Sequence, residues 1–301
     1  MKRIYIFLGI CFVFTWSLEF FMMANGGLSS VYGTVMLSAV MLIPALSTIV
    51  TRLITKEGFS NFGIKPHFKG HIRYYLAAWF LPSLLIAAGA VLYFLLFPAH
   101  FDPTMSQIAE QYAQFNPAMG QTESQAATLP ESSMMIIFLS QLLMGFFLGP
   151  LLNIITTSGE EIGWRGYLLP KLMEKYNPRL SVVISGSIWG LWHAPIIAMG
   201  HNYGLNYPFF PWLGIIAMVL WCIALAAFFS YVTIKTGSWL PASIAHGSVN
   251  SFAAISVFFT IGDVSPFIGP LPVGIIGGMG LIILGAISFI RLGKDKTELT
   301  L

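Results

Sequence analysis

The sequence predicts an all-α, polytopic membrane protein of eight transmembrane helices with both termini cytoplasmic. Composition, long apolar runs and the placement of positive charge carry that prediction. Of 301 residues, 56% are hydrophobic and 9% charged, against about 25% charged in a soluble domain. Mean hydropathy is +0.77. The net charge of +3 is too small to point to nucleic acid. Cys11 and Cys222 fall inside apolar runs and read as small buried hydrophobes, not as a disulfide framework or a metal site.

A membrane span needs about 20 mostly apolar residues. Eight runs qualify: 4–23, 35–53, 74–97, 134–157, 182–199, 212–234, 240–260 and 269–290. The first follows Met1-Lys2-Arg3. Its apolar stretch is longer than a signal-peptide core and no small-x-small cleavage site follows, so it reads as a retained helix. The Lys and Arg residues then order the topology. Lys2 and Arg3 precede the first run. Arg52, Lys56, Lys65, Lys69 and Arg73 lie between the second and third, and Arg165, Lys171, Lys175 and Arg179 between the fourth and fifth. Lys235 lies between the sixth and seventh, and Arg291, Lys294 and Lys296 follow the eighth. All 15 therefore fall on one side of an eight-helix chain, which the positive-inside rule makes cytoplasmic. One helix more or fewer would scatter them.

The largest outer loop, 98–133, carries Asp102, Glu110, Glu123 and Glu131. It reads as solvated, with a short amphipathic helix around 106–115. The inner segment 56–71, with Gly58, Gly63 and Pro66, reads as an interfacial, turn-rich connection. No internal repeat, low-complexity tract or soluble domain is visible, so residues 1–301 are taken as a single membrane domain.

Polar residues within or beside the runs cluster late in the chain. Glu160, Glu161 and Arg165 follow the fourth run, Trp189, Trp192 and His193 lie in the fifth, and His246 and Asn250 in the seventh. Charges at such positions are costly, which makes them candidates for function. Glu161 and Arg165 are four apart and can pair, and His246 and Asn250, also four apart, share one helix face. Glu160 is left to face a cavity, where partial desolvation suits a general base. Blander readings exist for each: an interfacial charge cluster for Glu160, Glu161 and Arg165, and interhelical hydrogen bonds for His193, His246 and Asn250. Glu19 has no evident role. Together, though, a glutamate, two histidines and an asparagine from three helices make an inventory for amide hydrolysis, with a base for water and donors for an oxyanion.

These residues resemble the CPBP family of intramembrane endopeptidases, which includes the type II CAAX prenyl endopeptidases of the Ras-converting type and the bacterial Abi proteins. Three motifs carry the resemblance, in the family's order: Glu160-Glu161-Ile162-Gly163-Trp164-Arg165, Trp189-Gly190-Leu191-Trp192-His193, and His246-Gly247-Ser248-Val249-Asn250. The departure is Trp189, where the family usually has Phe. The resemblance covers 134–260, the expected catalytic core.

It implies a glutamate-dependent endopeptidase that cuts a membrane-associated peptide or protein near the cytoplasmic face, with CAAX-type C-terminal processing as the family's substrate class, in the lipid bilayer of a bacterial plasma membrane. Glu160 and His193 would activate water. His246 and Asn250 would hold the oxyanion, with Glu161, Arg165 and Trp189 supporting the site. No cofactor is implied by this mechanism. An alternative makes Glu160, His193 and His246 zinc ligands, a legitimate set, although no carboxylate that would orient either histidine is obvious in the sequence. A proton-coupled transporter and a non-catalytic immunity protein are further readings of the same residues. One difficulty is depth. His193 lies about 16 Å along its run at 1.5 Å per residue, deeper than Glu160 at the end of the fourth. The expectation is a tilt, a longer fourth helix, or a water-filled funnel entered from the cytoplasmic side.

Overall fold

The structure is a computed structural model that describes residues 1–60, 62–115 and 131–293. Glu123, Lys294 and Lys296 lie outside the described residues. Among the described residues the regular elements are helical, and the single β-bridge pairs Phe101 with Thr260. Six helical stretches are long and apolar enough to cross a membrane. The chain is a multi-pass integral membrane protein.

Helices α1 (Lys2–Ala24), α2 (Gly33–Thr55) and α3 (Ile72–Leu96) match the first three runs. The short helix expected in the outer loop forms as α4 (Ser106–Phe115). Asp102, expected in a solvated loop, is buried. Its Oδ2 accepts from the Ser106 amide at 2.7 Å and its Oδ1 from the Thr104 amide at 2.8 Å. Burial pushes this carboxyl up, but these bonds and those from both hydroxyls outweigh it and hold it at about 2.

The fourth run departs most from expectation. Its helical path does not end at Thr157. It comprises α5 (Glu131–Leu143), a π-helical turn (Met144–Leu148), α6 (Gly149–Leu152), α7 (Ile154–Gly163), a second π-helical turn (Trp164–Leu168) and α8 (Leu169–Met173). Pro150 cannot donate to the ladder, which accounts for the break near it. The Asn153 side-chain amide closes that break onto the Gly149 carbonyl at 2.9 Å. Glu160 and Glu161 therefore sit well inside a helical segment rather than at its end.

The fifth run forms α9 (Pro178–Trp192) and α10 (Ala194–Ile197). Asn177 caps α9 by accepting from the Leu180 amide at 2.9 Å, with Pro178 at the first helical position. The sixth is α11 (Trp212–Thr236). The seventh is α12 (Leu240–Phe252) with a 3-10 turn at Ile255–Phe259. The eighth run was expected from Gly269, but α13 spans only Met279–Leu292. Residues 269–278 form turns, because Pro270, Pro272 and four glycines break a helix there however apolar the stretch is. At 15 and 14 residues, α9 and α13 are shorter than a typical span.

The bundle pairs α9 with α11, α2 with α7, and α3 with α12. The α2–α7 contact depends on two glycines that bracket the carboxylate pair. A Cβ on Gly159 would lie 2.4 Å from the Met41 carbonyl oxygen, and one on Gly163 2.4 Å from the Pro44 Cβ. Small residues four apart let the two backbones approach this closely.

The two ends of the bundle differ. At one, Glu57 bonds Lys171 at 2.9 Å and the Tyr167 hydroxyl at 2.9 Å, with Arg3 at 3.5 Å. Nearby connections are tied by Arg179 to the Ile290 carbonyl (2.7 Å) and by His67 to the Thr236 carbonyl (2.9 Å). At the other end, the Asp102 amide donates to the Phe259 carbonyl (2.9 Å), Ile261 to that of His100 (3.1 Å), and Tyr203 stacks on Phe267. The segments meeting there contain no Lys or Arg.

Candidate active site

Helices α7, α9 and α12 bring the three motifs together. Glu160, Glu161 and Arg165 are 2%, 0% and 1% exposed, and His193 and His246 are 8% and 6%. Such buried charges persist only when paired and hydrogen-bonded.

Helical spacing separates the two glutamates. Arg165 Nη1 lies 3.0 Å from Glu161 Oε2 and donates to Oε1 at 3.1 Å. The same guanidinium lies over the rings of Trp189 (4.3 Å) and Phe229 (5.2 Å), an arrangement Arg sustains better than Lys. Glu160 turns away from this pair. Its Oε2 accepts from the Trp189 indole at 2.6 Å and from the Trp164 indole at 3.4 Å.

The histidines are oriented differently. His193 Nδ1 lies 2.8 Å from the Trp189 carbonyl oxygen. A carbonyl only accepts, so the proton is assigned to Nδ1, which leaves the Nε2 lone pair available. His246 Nδ1 lies 2.9 Å from Glu161 Oε1. No carboxylate that would orient either histidine is evident in the sequence, yet Glu161 orients His246. Only the fold reveals this, since the two residues are 85 positions apart. Asn250 is exposed, one turn beyond His246 on α12.

A cavity of about 290 Å³ joins these groups, lined by Glu160, Trp189, His193, His246 and Asn250. Trp192, His201, Asn202 and Cys222 also line it, and none of them had a role in the site on sequence grounds. His201 gave no signal because it belongs to a connection whose position only packing fixes. Trp164 was findable, being four residues after Glu160. Phe229 lies in a uniformly apolar helix and was not.

The cavity also bears on the expected cytoplasmic funnel. Among the described residues no Lys or Arg lines the cavity, and its lining includes Leu37 and Met41 of α2, His201, Asn202, Ala253, Pro272 and Val273. As to zinc, Glu160 Oε2 is held by two indoles, and the His193 and His246 rings are turned by separate partners. Among the described residues no three His, Cys, Asp or Glu side chains converge as a metal set.

Comparison with known proteins agrees with the motif region. The family model for Type II CAAX prenyl endopeptidase Rce1-like matches residues 137–252. "CAAX prenyl protease 2" of Methanococcus maripaludis is 35% identical over 52 residues, 17% of this chain. The matched stretch spans 19% of that relative's length.

Proposed function

Because residues 137–252 match the family model for Type II CAAX prenyl endopeptidase Rce1-like, we propose that this chain is an intramembrane endopeptidase in which Glu160 activates water. The observation that carries this reading is a buried carboxylate, held by Trp189, at a cavity shared with His193, His246 and Asn250. Water gives a proton to Glu160, assisted by the free Nε2 of His193, and its oxygen bonds to the peptide carbonyl carbon. His246 acts in its doubly protonated form: its Nδ1–H meets the Glu161 carboxylate and its Nε2–H donates to the resulting oxyanion, while Asn250 donates through its amide. The C–N bond then breaks. The proton held by Glu160 passes to the leaving nitrogen, giving a new carboxyl terminus and a new amine. Glu161, Arg165 and Trp189 are positioning residues.

On this reading the chain crosses a bacterial plasma membrane eight times with cytoplasmic termini, α9 and α13 being its short passes, and residues 1–301 form one membrane domain with a catalytic core at 134–260. The substrate class is a membrane-associated peptide or protein, and a CAAX-type C-terminus is what the similarity suggests. Cleavage of membrane-peptide reporters by wild type, Glu160→Ala and Glu160→Gln, with and without chelator, tests this. Both variants are expected to lose about 10²–10⁴-fold in rate. Activity surviving Glu160→Ala overturns the mechanism, and loss with chelator that zinc restores favours the metal version.

A further inference from the structure

Resting on the endopeptidase reading, a second cavity extends the site. Its volume of about 380 Å³ falls within the range of roughly 300–1,000 Å³ typical of ligand sites. It lies between α4, the connection after α10, and the connection that precedes α13. Asn202 lines both this cavity and the one over Glu160, so the two adjoin across that residue.

Burial sets a direction between them. Glu160, Trp189 and Cys222 are buried. His201, Asn202, Ala253 and Val273 are half-buried, and Asn206 is exposed. Burial therefore decreases from the carboxylate toward the end of the bundle where no Lys or Arg occurs. The second cavity's wall offers the amide side chains of Gln107, Gln111, Asn202 and Asn206. Each carries both donor and acceptor, which suits the N–H and C=O groups of an extended peptide. Among the described residues its one charged lining residue is the exposed Asp263. The segments 98–133, 199–211 and 260–278 supply no cation to offset it.

We infer that the outer cavity is the subsite for the substrate segment flanking the scissile bond, that it is reached from the end of the bundle lacking Lys and Arg, and that it takes an extended neutral or basic peptide in preference to an acidic one. This redirects access from the cytoplasmic funnel expected from sequence. With the Lys- and Arg-rich end inside, the peptide arrives from the outer face.

Two measurements on the full chain in intact cells test the inference. In a Cys11→Ala, Cys222→Ala background, single cysteines are placed at Asn206, Ala253 and Lys175 and treated with a membrane-impermeant maleimide. Ala253→Cys is expected to react from the same side as Asn206→Cys, opposite to Lys175→Cys. Reaction only from the Lys175 side, or none, overturns the direction of access. This outcome does not depend on catalysis. In the second measurement, two reporter membrane peptides differ only in three flanking lysines or three flanking glutamates. The lysine form is expected to be cut about five-fold faster, the scale of an exposed ion pair, and Asp263→Lys to abolish that preference. Equal rates in wild type, or an unchanged ratio in Asp263→Lys, overturn the subsite. If neither reporter is cut, the endopeptidase reading fails, while the maleimide result still decides where the cavity opens.

Discussion

Glu57 and Glu161 each meet a cation, in opposite surroundings. Glu57, at the Lys- and Arg-bearing end, is shared among Lys171, Tyr167, Thr55 and Arg3. Both Lys171 and Arg3 keep contact with solvent. Glu161 is fully buried between Arg165 and His246. A solvated pair gains little, because water competes for both charges. A buried pair is no bargain to assemble, but once assembled neither partner can be removed cheaply. The first cluster ties connections together. The second fixes the direction of a histidine.

The sharpest way to break this comparison is Arg165→Met. It leaves Glu161 buried without its cation and is expected to cost about 3–5 kcal/mol, read as lost thermal stability in detergent. A cost below about 1 kcal/mol would mean Glu161 is not electrostatically dependent on Arg165. Next comes Trp189→Phe, which restores the family's usual aromatic but removes the 2.6 Å bond to Glu160. Hydrogen bonds to charged groups contribute about 1.5–3 kcal/mol, so the turnover rate should change by ten-fold or more while the fold persists. An unchanged rate would show that the bond positions nothing.

The surface cluster should respond to pH instead. Burial pushes Glu57 up, but the hydrogen bonds from Thr55, Lys171 and Tyr167 and the charge of Lys171 outweigh it and hold it at about 2. That is below the ordinary value of about 4.3. The stabilisation is therefore complete above about pH 4.3 and is lost as pH falls toward 2. Wild type should exceed Glu57→Gln in melting temperature near neutrality by the equivalent of about 1 kcal/mol or less. The gap should close in acid, and a gap that widened there would reverse the assignment. The smallest effect belongs to Glu19. It is fully buried and neither oxygen has a hydrogen-bond partner, so Glu19→Gln should leave stability within about 0.5 kcal/mol of wild type or raise it. A loss of several kcal/mol would reveal a partner for its charge.

Much of the site was legible because helical spacing is geometry. The separation of Glu160 from the Glu161–Arg165 pair follows from offsets of five and four residues. The bond from Glu161 to His246 was not legible, since nothing local relates two residues on helices that meet only after packing. The ends of runs were also poorly marked. Hydropathy carried the fourth run only to Thr157 and began the eighth at Gly269. The chain instead continues helically through the carboxylates and stays irregular through Gly-Pro-Leu-Pro until Met279.

The sequence by itself determined that this is a multi-pass membrane protein, that its cations gather at one end, and which three motifs carry the site. These follow from composition, parity and spacing, which are properties of the chain alone. Only the tertiary structure decided that Glu161 serves His246, that two indoles hold Glu160, and that one cavity joins Glu160, His193, His246 and Asn250. Those facts depend on how closely helices approach. Glycines 159 and 163 set that distance for α2 and α7, and no one-dimensional pattern encodes which backbone will fill the space they leave.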